Sequence, residues 1–353
     1  AAVAIALPLL FAAARLLLAA WRARLWAGAV LVVGLTLLAA RWGGEAADAI
    51  GSSVAVAFGG EPLLQAYREY VWHGFASLEG LAYQVSLVRH LDGGVSYVAE
   101  YPARVPVLSA VEASRIVSQV FALQRHWKHR EAWWPMPGFT LGDSAYLDGG
   151  VVSDFDPVPG SFAELHELVR QAVENATGDR TVYMEGFTYP GFHVYRSNTA
   201  WGLPVAIVHS DVQYFSLPRK FRKYSKGSAA RLLSFTLPLQ LPRFGPVGLY
   251  TFSENRTEKG AEGGWPPRVY PVSPEMQANV LKRHRKKYGE ASKIEPVRSV
   301  VREFHEYSVG ELVIHAGHLV HQAASTFMFL PHEARVTLQG HGVYTEGRWE
   351  LYW

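Results

Sequence analysis

The sequence predicts an α+β fold, a jelly roll of short strands buttressed by helices and preceded by an N-terminal helical membrane anchor. Three observations carry this reading. From Thr181 onward, short β-prone runs follow one another with turn residues between them. Ahead of them, two stretches with helical apolar spacing sit behind capping boxes. Residues 1–42 differ from both, being apolar with Arg and Trp only at the borders of the runs and at Arg15.

Composition sets bounds. A chain of 353 residues with 49% hydrophobic content is long enough to bury one large core or two modest ones. The net charge of +3 does not call for a polyanionic partner, and no nucleic acid is expected. Cys is absent, which removes disulfides, Cys-ligated zinc and thiol catalysis together.

The anchor comes first. Residues 1–20 are apolar except for Arg15, Trp21-Arg-Ala-Arg24 follows, and residues 25–40 form a second uncharged run closed by Arg41-Trp42. Each run approaches the ~20 residues that cross a bilayer, and Trp21, Trp26 and Trp42 sit where interfacial aromatics belong. The reading is one or two membrane helices. The alternatives are a cleaved signal peptide or a buried helical hairpin. Arg22 and Arg24 on the cytoplasmic side would place the folded domain on the other side. Residues 43–108 then form a linker and helical segment, with a helix within 62–91 and an extended piece over 95–107. Residues 109–353 form the main domain.

In that domain Ser109 and Glu112 make a capping box, and the helix behind it should run to about Arg130. Ser161 and Glu164 make a second, with a helix that stops at Gly178. Between them, Trp133-Trp-Pro-Met-Pro137 and Tyr146-Leu-Asp-Gly-Gly150 read as a loop that would line a substrate mouth or simply pack. Strands are expected over 181–187, 191–196, 205–214, 231–241, 247–252, 311–315 and 335–344, and so many short strands fit a jelly roll. An insertion at about 254–300 holds a helix opened by Ser273-Pro274. The basic clusters at 219–226 and 282–288 would meet anionic lipid or an acidic partner, or form a solvated helix face.

The chemistry concentrates in two places. Side chains two apart on a strand share a face, so His209 and Asp211 can bite one metal ion, with a third ligand supplied from elsewhere. Two His and one carboxylate leave open positions on iron. Arg335 and Thr337 repeat the spacing on a later strand, and Arg suits bidentate capture of a carboxylate.

The His-x-Asp pair, a distal His and the Arg-x-Thr pair, in that order, resemble the iron(II) and 2-oxoglutarate-dependent dioxygenases, a family that includes the prolyl hydroxylases. The match covers residues 181–344. It implies a double-stranded β-helix with iron(II) between two sheets, 2-oxoglutarate as cosubstrate, and hydroxylation of a C–H bond. It implies His209, Asp211 and His321 as metal ligands, Arg335 and Thr337 on the far carboxylate of the keto acid, and Tyr195 beside it. His321 is preferred over His318 and His315 because the family places its ligand beyond the turn. The gaps from Asp211 to His321 and from His321 to Arg335 are longer than the family's usual ones. Asp211 fits hydroxylation rather than halogenation.

Two other classes stay open. One is a structural subunit of a membrane assembly that keeps the fold with an intact or vestigial site. The other is a cupin-like isomerase or hydrolase with another metal, against which the Arg335–Thr337 pair argues, since a water-activating metal has no need of a carboxylate clamp.

Overall fold

The computed structural model describes residues 78–92, 102–130, 138–144, 156–196, 208–217, 219–223, 231–242, 247–254, 267–289, 294–324 and 333–353. The expected anchor at 1–42, the Trp133–Pro137 segment and the Tyr146–Gly150 segment lie outside these residues. Among the described residues no helix is long and apolar enough to cross a membrane.

Thirteen strands are described. They are β1 (Ala103–Pro106), β2 (Lys128–His129), β3 (Gly138–Leu141), β4 (Thr181–Tyr183), β5 (Gly191–Arg196), β6 (Leu232–Gln240), β7 (Gly248–Ser253), β8 (Arg268–Pro271), β9 (Ser299–Glu306), β10 (Glu311–Ala316), β11 (Val320–Ala323), β12 (Ala334–Thr345) and β13 (Arg348–Tyr352). The main helices are α1 (Leu78–Asp92), α2 (Ala110–Ala122), the short α3 (Val158–Ser161), α4 (Ala163–Thr177) and α5 (Pro274–Tyr288).

A nine-stranded sheet runs β1-β10-β6-β12-β5-β3-β2, with β13 added to β12 and β4 to β13. A four-stranded sheet runs β11-β7-β9-β8. Only the β4–β13 pair is parallel; the other described pairs are antiparallel. After β6 the chain crosses from the large sheet to the small one, returns for β10, crosses again for β11 and returns for β12. That alternation is the winding of the expected two-sheet jelly roll.

Strand periodicity gives each sheet two unlike faces. On the large sheet, Phe192, Val194, Phe235, Leu237, Ile314, Val336 and Leu338 point outward and join one apolar core with Ile116 and Val120 of α2 and Leu165 and Val169 of α4. Each such side chain contributes roughly 1.5–3 kcal/mol when fully buried. The alternate residues are polar and also buried: His193, Ser234, Thr236, His315, Arg335, Thr337 and His341. The small sheet repeats the division. Tyr250, Phe252, Val300, Phe304 and Val320 pack outward against Leu81 and Val85 of α1 and Val280 of α5. Thr251, Glu303, His305 and His321 alternate with them and are buried polar groups. Stability therefore comes from the helix-covered outer faces, and the polar inner faces form the site.

Several expected boundaries shift. The Ser109 capping box forms as expected, with both of its reciprocal bonds. Its helix stops at Ala122 rather than near Arg130, because the Trp127 indole N–H donates to the Val120 carbonyl and the chain turns to pair β2 with β3. Ser161 does not cap α4. Its amide already bonds to the Pro157 carbonyl, so the chain is helical one turn earlier, and Phe162 takes the cap position. Gly178 ends α4 in the left-handed conformation as expected. Ser273 caps α5 ahead of Pro274, also as expected. The first expected strand, 181–187, is shortened to β4. β3 forms within the expected aromatic loop, β8 and β9 form within or beside the insertion, and β13 follows the last expected strand.

One buried imidazole ties α4 to the start of β5. His166 is 2% exposed, and its Nε2–H donates to the Pro190 carbonyl at 2.9 Å. Burial pushes its pKa down from 6.5 to about 4. Between those values the unfolded chain takes up a proton that the folded chain refuses, so this contribution to stability is complete above pH 6.5 and is lost on acidification. His166→Gln, which keeps a donor for Pro190, should flatten the loss between pH 7 and pH 4 by up to roughly 3 kcal/mol in urea denaturation. An equal fall in both proteins would remove His166 from the account.

Candidate metal centre

The expected strand over 205–214 is not a strand in its described part. His209 forms an isolated bridge to His321, its amide donating to the His321 carbonyl at 3.0 Å and its carbonyl accepting from the His321 amide at 2.8 Å. Two residues on, the Asp211 amide donates to the Gly317 carbonyl at 2.7 Å. The backbone then leaves the sheet at Val212 and turns into a 3-10 helix over Gln213–Ser216. The turn at Gly317 allows this close approach, since a Cβ there would lie 2.9 Å from the Asp211 carbonyl oxygen. The segment is thus held by two backbone hydrogen bonds to β11 and one to the turn before it, and they suffice to put His209 and Asp211 on the side that His321 faces.

The side chains converge. Nε2 of His209 lies 3.4 Å from Oδ1 of Asp211, and Nε2 of His321 lies 3.4 Å from Oδ2. One donor atom from each of the three residues falls within 4.8 Å of the other two, a spacing that suits ligands of one ion. The His321 Nδ1 faces the Leu319 carbonyl at 2.8 Å. A carbonyl only accepts, so Nδ1 carries the hydrogen and Nε2 keeps a lone pair toward Asp211. Asp211 and His321 are buried, while the His209 side chain is 33% exposed, so the centre is reached from the His209 side.

His315 and His318, the competing candidates, fall outside this group. The His315 ring lies 4.5 Å from that of His321 and tilted to it by 60°, with its Nδ1 turned to the Ala316 carbonyl at 3.0 Å. His318 lies in the turn between β10 and β11.

The electrostatics fit a cation. Burial alone would push the Asp211 carboxyl up, but His321, His209 and His341 outweigh it and hold the group well below the usual carboxylate range. Burial pushes His321 itself down to about 3 despite the attraction of Asp211. At neutral pH that ring is uncharged and turns its Nε2 lone pair toward the carboxylate, which leaves a buried anion short of positive charge. Two imidazole nitrogens and one carboxylate oxygen are the donor set that suits non-haem iron(II).

The second group lies on the inner face of the large sheet. Arg335 pairs with Tyr195 across β12 and β5, and Thr337 pairs with His193. The Arg335 guanidinium is buried between aromatic rings, 6.0 Å from that of Tyr195 and 5.5 Å from that of Tyr307. Burial lowers its pKa, and the two phenols counter that. Tyr195 is pushed up to about 12 by its own burial and stays a neutral donor. The Gln339 amide donates to Thr337 Oγ1 at 3.2 Å, which leaves the Thr337 hydroxyl hydrogen to give elsewhere.

Two residues at the centre were not foreseen. His341 Nδ1 lies 3.9 Å from Asp211 Oδ2 and 3.1 Å from Ser234 Oγ. Its signal was present, because Arg335, Thr337, Gln339 and His341 are spaced by two along one strand. Gln213 donates from Nε2 to Asp211 Oδ1 at 2.9 Å. It had no readable signal, because it reaches the carboxylate only through the turn at Val212.

No family model and no curated relative matches the chain. Solved structures that resemble it include the non-heme alpha ketoglutarate dependent epimerase SnoN from nogalamycin biosynthesis, at 14% identity and a TM-score of 0.37, over 74% of this chain and 86% of that one. SnoN has also been solved in complex with Fe3+, alpha ketoglutarate and nogalamycin RO. A Pseudomonas putida prolyl-4-hydroxylase aligns at 10% identity and a TM-score of 0.34, over 75% of this chain and 100% of that one. A prolyl hydroxylase from Trichoplax adhaerens, in complex with a peptide of hypoxia inducible factor, aligns at 10% identity and a TM-score of 0.37, over 76% and 91%.

Proposed function

We propose that the chain is an iron(II)- and 2-oxoglutarate-dependent oxygenase that hydroxylates a C–H bond, held at a membrane by residues 1–42. The observation that carries the catalytic reading is the meeting of His209, Asp211 and His321 around one point, with ligand atoms within 4.8 Å of one another. The membrane reading rests on the sequence of residues 1–42 and is independent of the site.

Each residue has a task in this reading. His209 and His321 offer neutral nitrogens and Asp211 an anionic oxygen, so the protein satisfies part of the ion's shell and leaves other positions open. Iron with the keto acid supplies oxygen activation, with the keto acid oxidised to succinate and carbon dioxide. Arg335 takes the far carboxylate of the keto acid by charge-assisted hydrogen bonds in a medium that strengthens them. Thr337 gives its remaining hydroxyl hydrogen to the same carboxylate, and Tyr195 lies beside it. The apolar outer faces and their helices keep bulk water from the inner faces, while the half-exposed His209 marks the side where substrate enters.

Two measurements test these roles. His321→Ala should lose stoichiometric iron(II) while His315→Ala retains it, read by metal analysis after desalting. Iron retained by the His321 variant, or lost from both, would contradict the ligand assignment. Purified protein with iron(II) and 2-oxoglutarate should form succinate slowly without added substrate. Arg335→Leu should weaken keto-acid binding by about tenfold or more in calorimetry, the loss expected for a charged hydrogen bond. Unchanged binding by that variant would refute the clamp, and an iron-loaded protein that binds no keto acid would favour a structural role.

A further inference from the structure

We propose that Gln213 makes Asp211 a one-oxygen ligand and so keeps an additional position at the centre open. The inference rests on the metal reading above. The orientation of the Gln213 amide is set by its partner. A carboxylate only accepts hydrogen bonds, so the end of the Gln213 side chain that meets Asp211 Oδ1 at 2.9 Å is the NH2. Its other end, Oε1, is buried and has no hydrogen-bond partner among the described residues. Leaving a buried acceptor unmet costs about 1–3 kcal/mol. A glutamine retained only for packing gains nothing from that position. The side chain is held there by its bond to Asp211.

The consequence follows from what each carboxylate oxygen faces. Oδ1 faces the Gln213 amide and His209, and Oδ2 faces His321 at 3.4 Å and His341 at 3.9 Å. A hydrogen bond to Oδ1 draws charge from that oxygen and fixes the rotation of the carboxylate, leaving Oδ2 as the better donor. With one atom from each of three residues, about three positions of an octahedral ion stay open. A carboxylate that rotated to chelate with both oxygens would close one of them. The chain builds this restraint by leaving the extended path at Val212, which swings Gln213 back beside Asp211.

Manganese(II) is the probe, and the number of exchangeable waters on it, from water-proton relaxation, is the readout. The parent protein should show about three. Gln213→Met, of similar length but without a donor, should show about one fewer, with affinity about tenfold weaker. An unchanged water number in Gln213→Met overturns the proposal whatever the affinity does. Thermal melting without metal checks that the variant folds. If it does not, Gln213→Asn, too short to reach Oδ1, takes its place with the same expected and contrary results. A parent protein that binds no manganese(II) overturns the metal reading itself and this inference with it.

Discussion

The centre depends on a two-residue backbone bridge. His209 and His321 exchange both of their peptide hydrogen bonds, at 3.0 and 2.8 Å, and this fixes which way three side chains point. Residues directly opposite in an antiparallel pair share a face, so the two imidazoles meet at a ring distance of 4.5 Å. The Asp211 amide then bonds to the Gly317 carbonyl in the turn before β11, two residues out of the register set by the bridge, and this second tie holds Asp211 beside His321. A slip of one residue would turn His209 and Asp211 away from His321 together.

That bridge is held because the rest of the fold tolerates polarity inside. The space between the sheets contains imidazoles, hydroxyls, a guanidinium and carboxylates, and burying such groups is unfavourable unless they are paired. The outer faces offset this. Helices α2 and α4 cover the large sheet and α1 and α5 the small one, each with a continuous apolar core. The inner groups also satisfy one another: Ser234 with His341, Thr251 with His305, and Gln339 with Thr337. Helices outside and polar groups inside thus make one arrangement, with the metal-binding geometry at its more open edge.

Much of this was legible in the residues. Period-two spacing placed His209 with Asp211 and Arg335 with Thr337, because a face of a strand is a local property. Ser109 and Ser273 announced their helices because capping is local too. Ser161 misled because Pro157 and Pro159 start a helical turn ahead of it, and that turn consumes its amide. β9 was not foreseen: Arg302, Glu303 and His305 are ionisable residue types that usually face solvent, yet all three are buried by tertiary packing. The short bridge at His209 was read as a longer strand, since nothing local tells where pairing with β11 ends. Gln213 shows the limit most clearly, as its contact with Asp211 depends on a backbone turn that no periodicity describes.

The most direct test of the central claim is anomalous diffraction at the iron edge from crystals grown with iron(II). One peak is expected, about 2.0–2.2 Å from Nε2 of His209, a carboxylate oxygen of Asp211 and Nε2 of His321. A peak bound elsewhere, or iron(II)-saturated crystals with no peak at these three atoms, would contradict the account.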